Sequence, residues 1–407
     1  MYNDLRINAQ RLEDTLRTLG AIAQNPENGG RNRLALSDGD KEGRDLFCKW
    51  MKEDGLEIKI DEIGNIFGIK KGTDPNALPI MLGSHLDTVK DGGMFDGAYG
   101  VLGGLEVIRT LKENKIETAN PIVVAVFTNE EGARFQLDMM GSRYYATKKD
   151  LEKLYSVKDD TGVTVKEELK RIGYLGNETV PIGKYFELHI EQGPRLYREG
   201  ISTCAVEGIQ GLSWWKVEYQ GQPNHAGSTP MEMRKDALLA TAKVAIEVEK
   251  LALKIGNSCV ATIGRIHVKP DIINIVPGST SFTIDLRQFD KDLFTQAKAE
   301  LQEIIKNAAE KRGLKYTVEK LVDVDPVIFD KDMVDTVEKS AKELGLSVTR
   351  KYSAACHDAQ FLATICPTAM IFVPSLDGKS HCPEEWTDFT DIANGCNVLL
   401  HSVLKLV

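Results

Sequence analysis

Residues 121–131 read PIVVAVFTNEE, an apolar run rich in β-branched residues that ends abruptly in polar ones. Because polar and apolar positions do not alternate, the run is typical of a strand that is covered on both faces. Helical patterns such as residues 100–115 and 390–407 separate it from similar runs. Strands that alternate with helices predict an α/β domain with a largely parallel sheet. The similar runs are LPIMLGS (78–84), KYFELHI (184–190) and TAMIFVPS (368–375).

The segment from Leu212 to Val327 has a different order of elements. Its patterns follow the order β-α-β-β-α-β, which is the split βαβ of ferredoxin-like domains. Because α/β patterns resume after it, we expect residues 212–327 to be inserted into a main domain formed by residues 1–211 and 328–407. Adjacent Trp214 and Trp215 must point to opposite faces of their strand. One of them is therefore expected either on a dimerisation surface or beneath a helix of the inserted domain.

Composition excludes several classes of function. The 407 residues are too many for one ordinary core, and 42% hydrophobic with 27% charged residues is typical of a globular protein. The net charge is -9 and no basic stripe is present, so nucleic acid is not an expected partner. The N-terminus has no apolar segment of the signal-peptide type, and no apolar run approaches the ~20 residues of a membrane span. We therefore expect a cytoplasmic protein without a membrane partner.

The cysteines do not form a recognisable framework. There are 7, an odd number, and none are arranged as CxxC pairs. They are expected to be reduced and mostly buried thiols rather than disulfides or zinc ligands. Cys356 and Cys382 stand beside histidines, which leaves the question of reactivity or metal binding open for these two.

Side chains of the type that binds metals follow the apolar runs. In an open α/β sheet, ligands bind beyond the carboxyl ends of the strands. Any one of these side chains alone is better explained as a structural or solvated residue, but together they converge on one edge of the predicted sheet. The residues concerned are His85 and Asp87, Glu130 and Glu131, His189, and His381.

This concentration of acids and histidines predicts two divalent metal ions. Several carboxylates in one crevice would repel each other and become protonated unless cations were present. Nitrogen and oxygen donors suit Zn²⁺, and also Mn²⁺, Co²⁺ or Ni²⁺, between which ligand types do not discriminate. Asp96, in the glycine-rich stretch GSHLDTVKDGGMFDGAYG (83–100), is predicted to bridge the ions. The predicted further ligands are His85 and His189 for one ion, and Glu131 and His381 for the other.

Two acids remain for other roles. Asp87 stands two residues from His85 and is predicted to steady its imidazole. Neighbouring residues in extended chain point apart, so Glu130 need not bind the ions when Glu131 does. Beside water activated by the ions, Glu130 would be a general base, a role worth ~100-fold to 10,000-fold in rate.

These residues belong to motifs that resemble the hydantoinase/carbamoylase family of binuclear metal amidohydrolases. The motifs extend from about Gly29 to Trp386 in the order of that family. The resemblance implies a metal-dependent exopeptidase-like catalytic domain with a mostly parallel sheet. It also implies an inserted ferredoxin-like lid that forms a homodimer. The motifs are GSHLDTVKDGGMFDGAYGV, TNEEGARF, ELHIEQGP, PNHAGSTPM, INIVPG, TIDLRQFD, ACHDAQ and GKSHCPEEW.

The resemblance also implies roles for residues of the lid. His225 in PNHAGSTPM would steady the developing oxyanion, in its own subunit or in the partner's. Asn274 and Arg287 match positions that hold the substrate carboxylate, which an arginine can bind through two parallel hydrogen bonds. The stretch SAACHDAQ departs from the family pattern at Cys356, and the roles of Cys356, His357 and Asp358 stay open. His267 and His401 are expected to be structural or exposed.

The activity implied is hydrolysis of the ureido C–N bond of N-carbamoyl-L-amino acids, which releases the L-amino acid, carbon dioxide and ammonia. Allantoate and N-carbamoyl-β-alanine are alternative ureido acids, and the preferred side chain and enantiomer stay open. An aminoacylase or dipeptidase is a further alternative, although an acid commonly stands in those enzymes where this chain has His189. A binding protein without activity should lack the base or the bridge, whereas Glu130 and Asp96 are both present.

Overall fold

The computed structural model describes residues 2–407, and the chain divides into two compact units. Unit 1 runs to Gly208 and resumes at Ile328, and unit 2 is Ile209–Val327. Within residues 2–407, no helix has both the length and the apolar character needed to cross a bilayer.

The helices and strands are given in chain order. The helices are α1 (Ala9–Gly20), α2 (Asp38–Glu53), α3 (Ala98–Glu113), α4 (Met140–Thr147), α5 (Leu151–Tyr155), α6 (Val165–Ile172), α7 (Arg195–Glu199), α8 (Ala237–Ile255), α9 (Lys291–Glu310), α10 (Lys331–Glu343), α11 (Ala359–Leu362) and α12 (Phe389–Leu404). The strands are β1 (Glu57–Ile60), β2 (Ile66–Lys70), β3 (Ile80–His85), β4 (Ile122–Phe127), β5 (Lys184–Ile190), β6 (Thr203–Ile209), β7 (Gly211–Gln220), β8 (Asn224–His225), β9 (Val260–Lys269), β10 (Ile275–Val276), β11 (Ser279–Gln288), β12 (Lys315–Val324), β13 (Val327–Ile328), β14 (Val348–Ser353) and β15 (Thr368–Val373).

The central sheet of unit 1 is built around the apolar runs of the sequence. Its order is β1-β2-β4-β3-β5-β15-β6-β13, and the four middle strands β4, β3, β5 and β15 pair in parallel. Strands β3, β4 and β15 are buried along their whole length, which explains why their sequences are continuously apolar. The prediction of an α/β fold with a mostly parallel sheet is confirmed. Antiparallel strands β2 and β6 flank the parallel part.

The start of α3 brings the loop after β3 back against that strand. Gly97 precedes the helix with φ 64°, in the left-handed region that glycine enters without strain. A side chain at this position would also collide with the imidazole of His85. The glycine therefore allows Asp96 to lie beside the end of β3, while the mostly buried helix α3 packs on the sheet.

Unit 2 contains a four-stranded antiparallel sheet in the order β12-β7-β11-β9, with α8 and α9 packed on one face. Trp215 is fully buried in the core between sheet and helices, and its indole N–H donates to the Ser213 hydroxyl at 2.7 Å. Trp214 points to the other face and is 38% exposed. The two tryptophans therefore lie on opposite faces, as the period of a strand requires.

Candidate metal centre

Two groups of metal-binding side chains lie together in unit 1 and share one aspartate. His85, Asp96 and His189 form one group, and Asp96, Glu131 and His381 form the other, with the ligand atoms of each group within 4.8 Å of one another. The Nε2 atom of His189 lies 3.2 Å from Asp96 Oδ1, and that of His381 lies 3.1 Å from Asp96 Oδ2. The structure thus brings the five predicted ligands together, with the two oxygens of Asp96 directed at different groups.

The strands position these ligands as the sequence indicated. His85 is the last residue of β3, His189 is the penultimate residue of β5, and Glu131 follows β4. These three strands are adjacent and parallel, so their carboxyl ends meet at one edge. His381 arrives from the loop after β15, with its backbone in the left-handed region at φ 56°.

The charges in the centre fit divalent cations. Burial, followed by the neighbouring acids Asp358, Glu131, Asp96 and Asp87, raises the pKa of Glu130 well above its usual range. Burial and nearby Asp96 likewise raise the pKa of Glu131. Within the described residues, the buried Oε1 atom of Glu131 has no hydrogen-bond partner. A buried carboxylate oxygen without a partner is costly, and a bound cation would both satisfy it and relieve the repulsion.

Asp96 differs from the other acids of the centre. Although burial alone would raise its pKa, the adjacent imidazoles of His189 and His381 hold the pKa of Asp96 well below the ordinary value. Asp96 is therefore a charged carboxylate between histidines, which suits a bridge between two ions.

The histidines on β3 and β5 present the correct nitrogen to the centre. His85 Nδ1 donates to the main-chain oxygen of Asp87 at 2.9 Å, and His189 Nδ1 donates to that of Ile190 at 2.8 Å. With the proton on Nδ1, Nε2 is the unprotonated nitrogen of each ring and faces the centre, and in His189 it also accepts the Gly97 N–H at 3.2 Å. Burial lowers the pKa of His85 to about 4, so this ring is neutral at ordinary pH.

The role of Asp87 differs from the predicted one. Its main-chain oxygen, and not its carboxylate, accepts the hydrogen bond from His85, whose Nδ1 is 4.0 Å from the carboxylate. The two carboxylate oxygens instead accept the main-chain N–H groups of Glu130 and Glu131, each at 3.3 Å. Asp87 therefore holds the turn on which the candidate base and one candidate ligand stand.

The turn after β4 has a second support that the sequence analysis missed. Asn129 is fully buried in the left-handed region at φ 54°, and its amide donates to the carbonyls of Phe135 and Leu137 at 3.1 and 2.8 Å. Glu130, which is 7% exposed, places Oε2 3.5 Å from His85 Nε2. Asparagine tolerates the left-handed region better than most residues, so its position directly after an apolar run was an available indication.

A glutamine beside Asp96 was not expected from the sequence. Gln192 Nε2 donates to Asp96 Oδ2 at 2.8 Å and to Ser380 Oγ at 3.2 Å. The sequence offered only its place in ELHIEQGP, two residues after β5 ends.

The candidate residues of unit 2 fall into two separate places. His225 in β8 pairs with Ile275 in β10, and the Ala226 N–H donates to the Asn274 carbonyl at 2.9 Å. Arg287 lies near the end of β11 and forms an ion pair with Asp285 at 3.0 Å. Asn274 therefore adjoins His225, and not Arg287 with which it was expected to hold one carboxylate.

The register of unit 2 defines how far apart these places are. Strands β7 and β11 pair from Gln220 opposite Ser279 to Leu212 opposite Arg287. At the Gln220–Ser279 end, the Gly221 N–H donates to the Gly278 carbonyl at 2.8 Å, and the chain then forms the separate two-stranded pair β8–β10. At ~3.3 Å per residue, the strand from Ser279 to Arg287 alone spans roughly 26 Å.

The residues whose roles were left open include two close to the centre. His357 is buried, with its ring centroid 4.5 Å from that of His189 and its Nε2 3.0 Å from Ser353 Oγ. Asp358 is fully buried. His267 is exposed on β9, and His401 Nε2 lies 2.9 Å from the Leu5 carbonyl, in agreement with the structural or exposed roles expected.

Comparisons with known proteins extend over nearly the whole chain. Residues 81–405 match the model of the peptidase family M20/M25/M40. The chain is 41% identical over 403 residues to an N-carbamoyl-L-amino-acid amidohydrolase of Rhizobium meliloti, covering 98% of this chain and 97% of that protein. A protein of the same name from Geobacillus stearothermophilus is 38% identical over 408 residues, covering 98% and 99%. A crystal structure of an amidase of the hydantoinase/carbamoylase family from Burkholderia multivorans has a TM-score of 0.93 at 41% identity, covering 98% of each chain.

Proposed function

The chain belongs to the peptidase family M20/M25/M40, and we propose that it hydrolyses the ureido C–N bond of N-carbamoyl-L-amino acids, releasing the L-amino acid, carbon dioxide and ammonia. The observation that supports this most directly is the pair of donor groups that share Asp96, with buried Glu130 beside them. Full-length similarity to proteins named for this reaction supports the substrate class. In this proposal unit 1 is the catalytic domain and unit 2 is a ferredoxin-like lid.

The two donor groups would hold two divalent ions per subunit. His85, Asp96 and His189 would bind one ion, and Asp96, Glu131 and His381 would bind the other. When bound, Zn²⁺, Mn²⁺, Co²⁺ or Ni²⁺ would acidify water and polarise the ureido carbonyl.

Glu130 would be the general base. Its carboxylate takes a proton from the attacking water and delivers it to the departing nitrogen of the substrate. Asp87 keeps this carboxylate in place through the main-chain N–H of Glu130, so that the proton acceptor does not drift from the reacting atoms. The neighbouring N–H of Glu131 is held by the same carboxylate, which links the position of the base to that of a ligand.

Arg287 would bind the substrate carboxylate, while His225 steadies the oxyanion that develops on the ureido carbonyl oxygen and Asn274 donates a further hydrogen bond. A small ureido acid cannot contact both Arg287 and the His225–Asn274 pair of one unit 2, because the intervening strand alone spans roughly 26 Å. Arg287 and the His225–Asn274 pair can contact one substrate only if they come from two copies of the chain. The proposed site therefore requires a homodimer, with His225 and Arg287 of each active site on different subunits.

Unit 2 has a surface suited to such a dimer. Leu239, Ile246 and Leu253 recur every seventh residue along α8 and are 39%, 50% and 77% exposed. This spacing places them in one stripe, as in the seam between two packed helices. Helix α8 packs on β9, which is an edge strand of the sheet. The outer N–H and C=O groups of an edge strand can pair with another strand, and Ile266 of β9 is 46% exposed. A second copy would cover stripe and edge together in an isologous contact.

Ammonia release from metal-loaded protein tests the function. The substrates should be N-carbamoyl-L-amino acids, their D-forms, N-carbamoyl-β-alanine, allantoate and a dipeptide. We expect turnover of N-carbamoyl-L-amino acids and a loss of ~100-fold to 10,000-fold in Glu130→Gln, with no loss in the exposed control Glu152→Gln. Dipeptide cleavage without ureido turnover would contradict the substrate class, and full activity of Glu130→Gln would contradict the mechanism.

A further inference from the structure

Glu385 lies buried where two ligand-bearing loops meet. It is 3% exposed, and its Oε1 accepts the main-chain N–H groups of Phe95 at 2.9 Å and of Asp96 at 3.2 Å. Its Oε2 accepts the hydroxyl of Ser380 at 2.8 Å, directly before His381. One carboxylate thus connects the loop of Asp96 with the loop of His381, although Phe95 and Glu385 are 290 positions apart.

The surroundings of Glu385 are shaped to receive it. A side chain at Gly93 would overlap the carboxylate, so the glycine leaves the space that Glu385 fills. The rings of Phe95, Trp386 and Phe389 pack edge to face with centroids 5.6 to 5.7 Å apart, which fixes both loops on the apolar side. The residues next to Glu385 in its own loop and next to Asp96 in the other, Trp386 and Phe95, are therefore packed against each other.

We propose that Glu385 is a positioning residue of the metal centre, which fixes the direction of the Asp96 carboxylate and the place of His381 without binding an ion itself. The inference rests on the proposed function, because it assumes that the two groups sharing Asp96 hold ions. Both carboxylate oxygens of Glu385 already accept hydrogen bonds, whereas the two oxygens of Asp96 face different groups and tolerate little rotation.

A bridge is more sensitive to its main chain than an ordinary ligand. Rotation about the backbone of Asp96 moves one oxygen towards its ion and the other away, so both groups are weakened together. The Asp96 N–H is held by Glu385 at 3.2 Å. Removal of Glu385 frees this anchor and the Ser380 link to His381.

The test compares Glu385→Ala, Glu385→Gln and the control Glu106→Ala. Glu106 is equally buried and also accepts a main-chain N–H, that of Asn8 at 3.0 Å, but it contacts no candidate ligand. Zn²⁺ content is measured by elemental analysis, and Zn²⁺ affinity is measured by competition with a chromogenic chelator. Thermal unfolding of the metal-free proteins reports the purely structural effect of each change.

We expect Glu385→Ala to weaken Zn²⁺ binding about 10-fold to 100-fold, with the ion at Glu131 and His381 lost first. Glu385→Gln should stay near wild type, because its amide oxygen accepts the same two N–H groups and its amide nitrogen can donate to Ser380. Glu106→Ala should lose thermal stability and keep its Zn²⁺ affinity.

Wild-type Zn²⁺ affinity in Glu385→Ala overturns the inference. An equal loss of Zn²⁺ affinity in Glu385→Gln and Glu385→Ala also overturns it, because the negative charge of Glu385, and not its hydrogen bonds, would then be decisive. If Glu385→Ala does not fold, Ser380→Ala removes the hydroxyl that donates to Glu385, together with its weaker contacts to Gln192 and Asp96. Unchanged Zn²⁺ affinity in that variant overturns the inference as well. Wild-type protein that binds no divalent ion contradicts the proposed function itself. Wild-type binding with an unaffected Glu385→Ala contradicts only the role of Glu385.

Discussion

Mixed dimers of two inactive variants should recover activity if the proposed active site takes residues from two subunits. The variants are His225→Ala and Arg287→Ala, which change opposite ends of unit 2. In a mixed dimer, one site receives both intact residues and the other receives both substitutions. Neither parent dimer has an intact site, because each of its two sites lacks the same residue.

The size of the recovery follows from the symmetry. Random exchange of equal amounts makes about half of the dimers mixed, with one intact site of two, so about a quarter of the wild-type activity should return. Each parent loses hydrogen bonds to a charged group worth ~1.5–3 kcal/mol, which leaves roughly 1–10% of activity. A quarter is well above this background.

The assay is ammonia release from an N-carbamoyl-L-amino acid after subunit exchange, which differently tagged subunits verify. His225→Ala mixed with Asn274→Ala is a matched control, because these residues lie at the same end of unit 2 and no mixed site receives both intact. The control should stay at background. Verified mixed dimers of His225→Ala and Arg287→Ala that remain inactive would refute the two-subunit site, since residues used within one subunit cannot complement each other.

Three further predictions concern the supports of the site. Asp87→Ala removes two main-chain hydrogen bonds of about 1 kcal/mol each, so kcat should fall about 10-fold to 30-fold while elemental analysis still finds the ions. Ile246→Glu with Leu253→Glu should give monomers in light scattering, with ammonia release lost and metal content kept; dimers would place the interface elsewhere. Asn129→Gly should retain more activity than Asn129→Val, because a β-branched valine is strained at the φ of 54° that residue 129 adopts. Equal activities of the two variants would show that this backbone conformation does not matter for the site.

The sequence was sufficient for the parts of the fold that depend on burial. A continuous apolar run such as residues 121–128 indicates that both faces of its strand are covered. The strand that this run forms, β4, is indeed buried along its whole length. The candidate ligands followed from the rule that parallel strands end at one edge. These inferences need only the local pattern and one general rule of topology.

Contacts between distant segments were not available from the sequence. The spacing of His85 and Asp87 suggested an imidazole–carboxylate contact, whereas the carboxylate binds the turn after β4. That contact exists because β3 pairs in parallel with β4, with His85 opposite Phe127. The role of Glu385 likewise depends on two loops that meet only in the folded chain.

The distance between Asn274 and Arg287 was overlooked for a different reason. The two residues were assigned to one carboxylate from motif positions, yet they stand 13 residues apart in a segment that is mostly strand. An extended chain of that length cannot place both side chains on one small ligand. The strand pattern alone would thus have indicated that Asn274 and Arg287 of one chain do not hold the same carboxylate.

The order of the central strands explains why the loop after β3 supplies so much of the centre. Strand β3 lies between β4 and β5, so residues that leave its end can reach the ends of both neighbours. Asp87 turns towards β4 and holds the N–H groups of Glu130 and Glu131, whereas Asp96 returns on the side of β5 and meets His189 at 3.2 Å. A loop after an outer strand would reach only one neighbour. A bridging carboxylate is therefore best placed after the middle strand, where its two oxygens can face ligands from both sides.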